Sequence, residues 1–178
     1  MITVLETPRL RLYRSHDRHR DGFARMHADA EVMADLGGPI SRATSDLKLD
    51  RYISAESAYG TSRWAVETRD GEFIGYEGVM RRPDETHPLG DHVEVGWRFR
   101  RQSWGHGFAT ESARYALRYA MARTGLRHIV AYTGVNNLRS QAVIARLGMV
   151  RDPSRDFTVI GVTGKPWAGL VWESQPNR

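Results

Sequence analysis

Along this 178-residue chain the spacing of apolar residues switches between a period of two and a period of about 3.6, and each switch marks an element boundary. After Pro8, Arg9-Leu10-Arg11-Leu12 alternates polar and apolar, the pattern of a half-buried first strand. From about Asp17 to Leu36, the apolar positions Phe23, Met26, Ala30, Met33 and Ala34 recur at three- and four-residue steps and predict one or two helices, closed by Gly37-Gly38. Residues 41 to 62 are polar with Leu47, Leu49, Tyr52 and Ile53 scattered among them, and predict a further short helix. Trp64-Ala65-Val66-Glu67, Asp70-Gly71 and Phe73-Ile74-Gly75-Tyr76 then read as a β-hairpin whose turn draws its positive φ angles from Asp-Gly.

A loop from Arg81 to Asp91, holding Pro83 and Pro88, leads into His92-Val93-Glu94-Val95-Gly96-Trp97-Arg98-Phe99. Alternation puts Val93, Val95, Trp97 and Phe99 on one face and Glu94 on the other. A glycine-containing loop precedes a helix from about Phe108 to Thr124, with Ala109, Ala113, Ala116, Leu117 and Ala120 as its apolar face and Gly125 past its end. Ile129 to Tyr132 is another strand. Asn136-Asn137 opens a helix to about Leu147 that Gly148 stops, and Phe157 to Trp172 reads as two last strands. The early strands are hairpin-connected, whereas those flanking the 108–124 helix need a crossover. The expected fold is therefore α/β (α+β), a mixed, mostly antiparallel sheet with helices on both faces. No repeat or linker divides the chain, so one domain over residues 1–178 is expected.

A hydrophobic share of 40% and a charged share of 26% fit an ordinary packed core. With no cysteine there is neither a disulfide framework nor a thiol nucleophile, which suits a cytoplasmic protein. No apolar run approaches the roughly 20 residues of a membrane helix, and MITVLETPRLRLYR lacks a signal-peptide core, so neither membrane insertion nor export is expected. The net charge of +5 comes almost wholly from arginine, Lys48 and Lys165 being the only lysines. Acidic residues are interspersed throughout and no basic motif is interleaved with aromatics, so the arginines read as solvated faces and nucleic acid is disfavoured as a partner.

The chemistry concentrates in Gln102-Ser103-Trp104-Gly105-His106-Gly107-Phe108-Ala109-Thr110-Glu111, between a strand and a helix. Glycines there let backbone N–H groups converge on an anion where the helix dipole also favours negative charge, an arrangement suited to a pyrophosphate. The stretch lacks the G-x-x-x-x-G-K-[ST] run of nucleotide triphosphatases. It also has Thr110 where a dinucleotide fingerprint needs its third glycine. Some 30 residues on stands Asn137-Leu138-Arg139-Ser140-Gln141-Ala142-Val143-Ile144-Ala145-Arg146-Leu147-Gly148-Met149.

These two segments resemble the GNAT superfamily of acyl-CoA-dependent N-acyltransferases, whose loop reads [QR]-x-x-G-x-[GA] and whose later helix follows N-x-x-S and ends [RK]-x-G-[FM]. Thr7-Pro8-Arg9-Leu10-Arg11-Leu12, Glu94-Val95-Gly96-Trp97 and Trp104 to Glu111 resemble the branch holding the ribosomal-protein N-terminal (RimJ/RimL-like) acetyltransferases. The resemblance spans nearly the whole chain, most firmly 93 to 149. It implies a sheet splayed between its fourth and fifth strands with pantetheine in the opening. Trp97, Phe99 and Asn137 would meet the pantetheine. Gln102, Trp104, Gly105, His106, Gly107, Phe108, Ala109 and Thr110 would form the pyrophosphate loop. Arg146 would reach an outer phosphate or stay solvated. Implied are acetyl-CoA as cosubstrate and transfer to a primary amine on a peptide N-terminus or small molecule; the 41–62 helix is expected to flank the acceptor pocket, and no metal is expected.

Thioester attack needs an unprotonated amine and a donor to the departing thiolate. Ile144 occupies the place where many relatives carry a tyrosine donor, so Ser140 is the expected replacement. Glu94 is the expected general base, with Glu77 and His92 as rivals. His106, among phosphate-facing amides, is a poor base. No H-x-x-x-H or H-E-x-x-H run supplies a metal pair. The alternative is a noncatalytic acyl-CoA-binding or regulatory domain, for which Ile144 is the best support. The acceptor and the oligomeric state stay open, a homodimer among the options.

Overall fold

The computed structural model describes residues 3–161 and 164–175. Strands β1 (Thr3–Glu6) and β2 (Leu10–Tyr13) form an N-terminal hairpin, and three-residue 3₁₀ turns flank the short helices α1 (Arg20–His27) and α2 (Ala30–Met33). Then follow α3 (Arg42–Tyr59), β3 (Trp64–Thr68), β4 (Phe73–Arg82), β5 (His92–Phe99), α4 (Phe108–Thr124), β6 (Val130–Gly134) and α5 (Leu138–Arg146). β7 (Val150–Arg151), β8 (Phe157–Ile160) and β9 (Pro166–Glu173) complete the chain, the β8–β9 connection including residues outside those described.

The sheet runs β1-β2-β3-β4-β5-β6-β9-β7 with β8 on β9. Every neighbouring pair is antiparallel except β5–β6, which is parallel and joined at a single register pair, Glu94 with Val130. Beyond that point the two strands part. The opening therefore lies between the fourth and fifth strands of the sequence reading, the fifth and sixth once β1 is counted.

Phe23, Met26, Leu49 and Tyr52 of α1 and α3 pack on Ala65, Tyr76 and Met80 on one face. On the other, Ala113, Leu117 and Ala120 of α4 cover Val79, Val95 and Ala131, and Ala116 covers Leu12, Trp64 and Phe99. Alanines at these α4 positions bring the helix close to the sheet. Gly125, at φ 69°, ends α4 as its sequence position predicts.

Three expectations change. α3 is an 18-residue helix rather than a short one, capped by Ser41 and Gly60. Its buried stripe is Ser45, Leu49, Tyr52 and Ala55, only one of them a long aliphatic, which disguises the period. β4 continues to Arg82, into what reads as a loop, because its last residues pair with Val93 and His92. In the β3–β4 turn only Gly71 has positive φ, and the extra residue is absorbed by a register shift between Val66 and Glu67.

Candidate active site

Because β5 and β6 part beyond Glu94 and Val130, a cleft of about 1560 Å3 opens between Trp97, Arg98 and Phe99 on one side and Gly134 to Ser140 on the other. The loop after β5 forms its outer lip. Trp104, Gly105, His106, Gly107, Phe108, Ala109 and Thr110 all line it, as do Trp97, Phe99, Asn137, Ser140 and Arg146. Gln102 does not; it is exposed on the 3₁₀ turn before the loop. Gly105 (φ 81°) and Gly107 (φ 78°) adopt the left-handed conformation that other residues avoid. Nothing lies within 4 Å of a Cβ built on Gly105. The loop thus runs open into the first turn of α4, where the leading N–H groups have no intrahelical acceptor.

Asn137 caps α5: its Oδ1 accepts the Ser140 N–H at 3.1 Å, which orients the amide. Its Nδ2 donates to Asp35 at 2.9 Å, and Asp35 also meets Arg98 Nη1 at 3.2 Å. Arg98 donates to the Val32 carbonyl as well. A polar bridge of Arg98, Asp35 and Asn137 therefore joins the two sides of the cleft. Ser140 is half-buried on the cleft wall, and its hydroxyl has no hydrogen-bond partner among the described residues. Ile144 is 1% exposed and packed among Val79, Val95 and Ala113, turned away from the cleft.

The three acid–base candidates lie elsewhere. Glu94 is on the face that alternation predicts, but it does not line the cleft. Arg63 Nη2 donates to its Oε1 at 2.6 Å, with Arg82 at 3.9 Å and the Tyr132 hydroxyl as a further partner. Burial opposes ionisation, yet Arg63 and Arg82 outweigh it and hold the carboxyl below its ordinary range. Glu77 is 0% exposed on the α4 face, opposite Trp64 and Trp97 on the flanking strands. Neither of its oxygens has a partner among the described residues, and burial, only partly offset by Arg63, pushes it up to about 8. His92 donates from Nδ1 to the Gly90 carbonyl at 2.7 Å, leaving Nε2 buried and unpartnered among the described residues, in a nest with His87 and Tyr132.

Sequence reasoning missed Asp35, which lies 102 positions from Asn137 and carries no local signal. It also missed what Thr7 and Arg9 do: both bind Glu111 in the first turn of α4. Among the described residues no group of three or more His, Cys, Asp and Glu side chains could hold a metal, and no helix is long and apolar enough to cross a membrane.

Residues 9–150 match the model of the acetyltransferase (GNAT) domain. The chain is 30% identical over 149 residues to the uncharacterized protein YkkB of Bacillus subtilis, covering 83% of this chain and 85% of YkkB. It is 31% identical over 153 residues to the FsC-acetyl coenzyme A-N(2)-transacetylase of Aspergillus fumigatus, covering 82% of this chain and 64% of that relative. Among solved structures, an acetyltransferase from Agrobacterium tumefaciens superposes with a TM-score of 0.80 at 23% identity, over 98% of this chain and 95% of its own. The RimL ribosomal L7/L12 α-N-protein acetyltransferase in complex with coenzyme A gives 0.76 at 12% identity, over 98% of both chains. With the domain model matched over most of its length, the chain belongs to the GNAT acetyltransferases.

Proposed function

We propose that this protein transfers an acetyl group from acetyl-CoA to a primary amine, on a peptide N-terminus or a small molecule, by direct attack within a ternary complex. The observation that carries the reading is the cleft itself. One opening brings together a glycine lip suited to a pyrophosphate, two splayed strand edges suited to pantetheine, and a free hydroxyl on Ser140. An acetyltransferase of the same fold crystallised with coenzyme A, and a relative named for N(2) acetylation, support the same reading.

When bound, acetyl-CoA supplies the thioester whose carbonyl the amine attacks. Trp104 to Thr110 hold the phosphates, while Trp97, Phe99 and Asn137 hold the pantetheine. The Ser140 hydroxyl donates to the departing sulfur, since Ile144 has gone to the core and offers no donor. We assign proton removal to Asp35 in place of Glu94. Asp35 lines the cleft beside Asn137 with a side chain 31% exposed, whereas the Glu94 carboxylate is the buried counter-ion of Arg63.

An acceptor screen with acetyl-CoA, following thiol release over peptides with different first residues and over small amines, tests the proposal. Acceptor-dependent release is expected. Tight acetyl-CoA binding with no release for any amine would favour the noncatalytic acyl-CoA-binding reading, for which Ile144 in the tyrosine position speaks.

A further inference from the structure

Thr7, Pro8 and Arg9 lie more than 90 residues before the glycine lip, yet they are fastened to it. Thr7 Oγ1 donates to Glu111 Oε1 at 2.6 Å and the Arg9 backbone N–H donates to the same oxygen at 3.0 Å. Arg9 Nε and Nη2 both reach Glu111 Oε2 at 2.6 Å. With these contacts the Glu111 carboxylate has its lone pairs filled from the side of β2. Arg9 Nη1 then donates to the His106 carbonyl at 2.9 Å, and the guanidinium lies 4.8 Å from the centre of the Phe108 ring.

Two physical consequences follow. Glu111 in the first turn suits the helix dipole, but its negative charge there opposes an anion at the same helix end. Arg9 neutralises it and draws it aside. Second, the C=O and N–H of one trans peptide point in opposite directions. Anchoring the His106 carbonyl on Arg9 therefore turns the Gly107 N–H away from the guanidinium, on a peptide that lines the cleft together with Arg9 and Glu111.

We propose that Arg9 is a positioning residue for cofactor binding: by bridging Glu111 and the His106 carbonyl it fixes the 106–107 peptide plane so that the Gly107 N–H meets the pyrophosphate. This rests on the acetyl-CoA reading above. Thr7 and Glu111 serve the same end by fixing Arg9.

The test is calorimetry with coenzyme A on the wild type, Arg9→Met and Glu111→Gln, joined to NMR of the Gly107 amide in 15N-glycine-labelled protein. Arg9→Met is expected to weaken coenzyme A binding about tenfold, the scale of one misaimed hydrogen bond to a charged group. The Gly107 resonance, which shifts on ligand addition in the wild type, should no longer respond fully. Glu111→Gln should show both effects to a smaller degree, and carries the test alone should Arg9→Met fail to fold. A merely structural Arg9 would leave the Gly107 response intact. Wild-type affinity in the substituted protein, or weakened affinity with a full Gly107 response, overturns the proposal. A wild type that binds no coenzyme A overturns the acetyl-CoA reading itself, and is told apart because it needs no substitution.

Discussion

Asp35, on the turn that follows α2, and Glu94, on β5, are carboxylates in different surroundings. Asp35 lines the cleft while held by Arg98 and Asn137, whereas Glu94 is away from the cleft and paired with Arg63, itself held by the carbonyls of Gly78 and Glu94. Asp35→Asn should lower kcat about 100-fold at neutral pH, the usual scale for a lost general base, and regain activity as rising pH deprotonates the amine unaided. Ser140→Ala should lower the rate by a smaller factor across the whole pH range, because a neutral hydroxyl has no titration to bypass. Steady-state pH profiles of the two variants check this split. Glu94→Gln leaves the Arg63 guanidinium buried with a weaker partner, so its main effect should be on stability, on the order of 3 kcal/mol in urea unfolding. An alkaline rescue of activity in Glu94→Gln would return the base to Glu94.

At the scale of elements, the proposed phosphate site at the start of α4 depends on a glycine conformation. Gly107 sits at φ 78° as the residue before the helix, and a Cβ there would lie 3.5 Å from Arg9 Nη2. Gly107→Val adds a strained backbone, about 1–2 kcal/mol, and a branched side chain against the phosphate path. The variant should still fold but lose the thermal stabilisation that acetyl-CoA gives the wild type; scanning fluorimetry with acetyl-CoA, ATP and NAD reads both points. This loop, β5, α4 and α5 were legible because their signals are local: strict alternation from His92 to Phe99, small residues down one face of α4, and glycines at 125 and 148 where the helices end. α3 was only half legible, since Ser45 and Tyr52 stand where aliphatics would have revealed its buried stripe. The Asp35–Asn137 and Arg9–Glu111 contacts were not legible at all, because each joins positions about 100 residues apart and no spacing encodes such a meeting. Glu94 was placed on the correct face by alternation, while its partner Arg63, two strands away, is a tertiary fact.

Over the whole molecule, three buried groups set opposing pH dependences. His27, 0% exposed and bonded through Nδ1 to Ser45 Oγ at 2.8 Å, is lowered by burial to about 3, and His19 is likewise lowered by burial to about 4. Glu77 is raised by burial to about 8 from an ordinary 4.5. Stability changes with pH in proportion to the protons held by the unfolded chain minus those held by the native one. Between pH 4.5 and 6.5 the unfolded chain binds protons on both histidines that the native protein does not, while the native protein keeps one on Glu77. The difference favours the unfolded chain by one proton, so these groups make stability rise with pH at about 1.4 kcal/mol per unit. From 6.5 to about 8 the histidines are neutral in both states and only Glu77 differs, so the sign reverses and stability falls at a similar slope. The three groups together give a maximum near pH 6.5. Glu77→Gln removes the alkaline limb without adding a charge, and should raise the melting temperature at pH 8 more than at pH 5. Melting curves of wild type and Glu77→Gln from pH 5 to 9 decide the matter: a gain that does not grow with pH would mean that Glu77 is ionised in the native protein and that its burial between Trp64 and Trp97 is offset by a partner other than a proton.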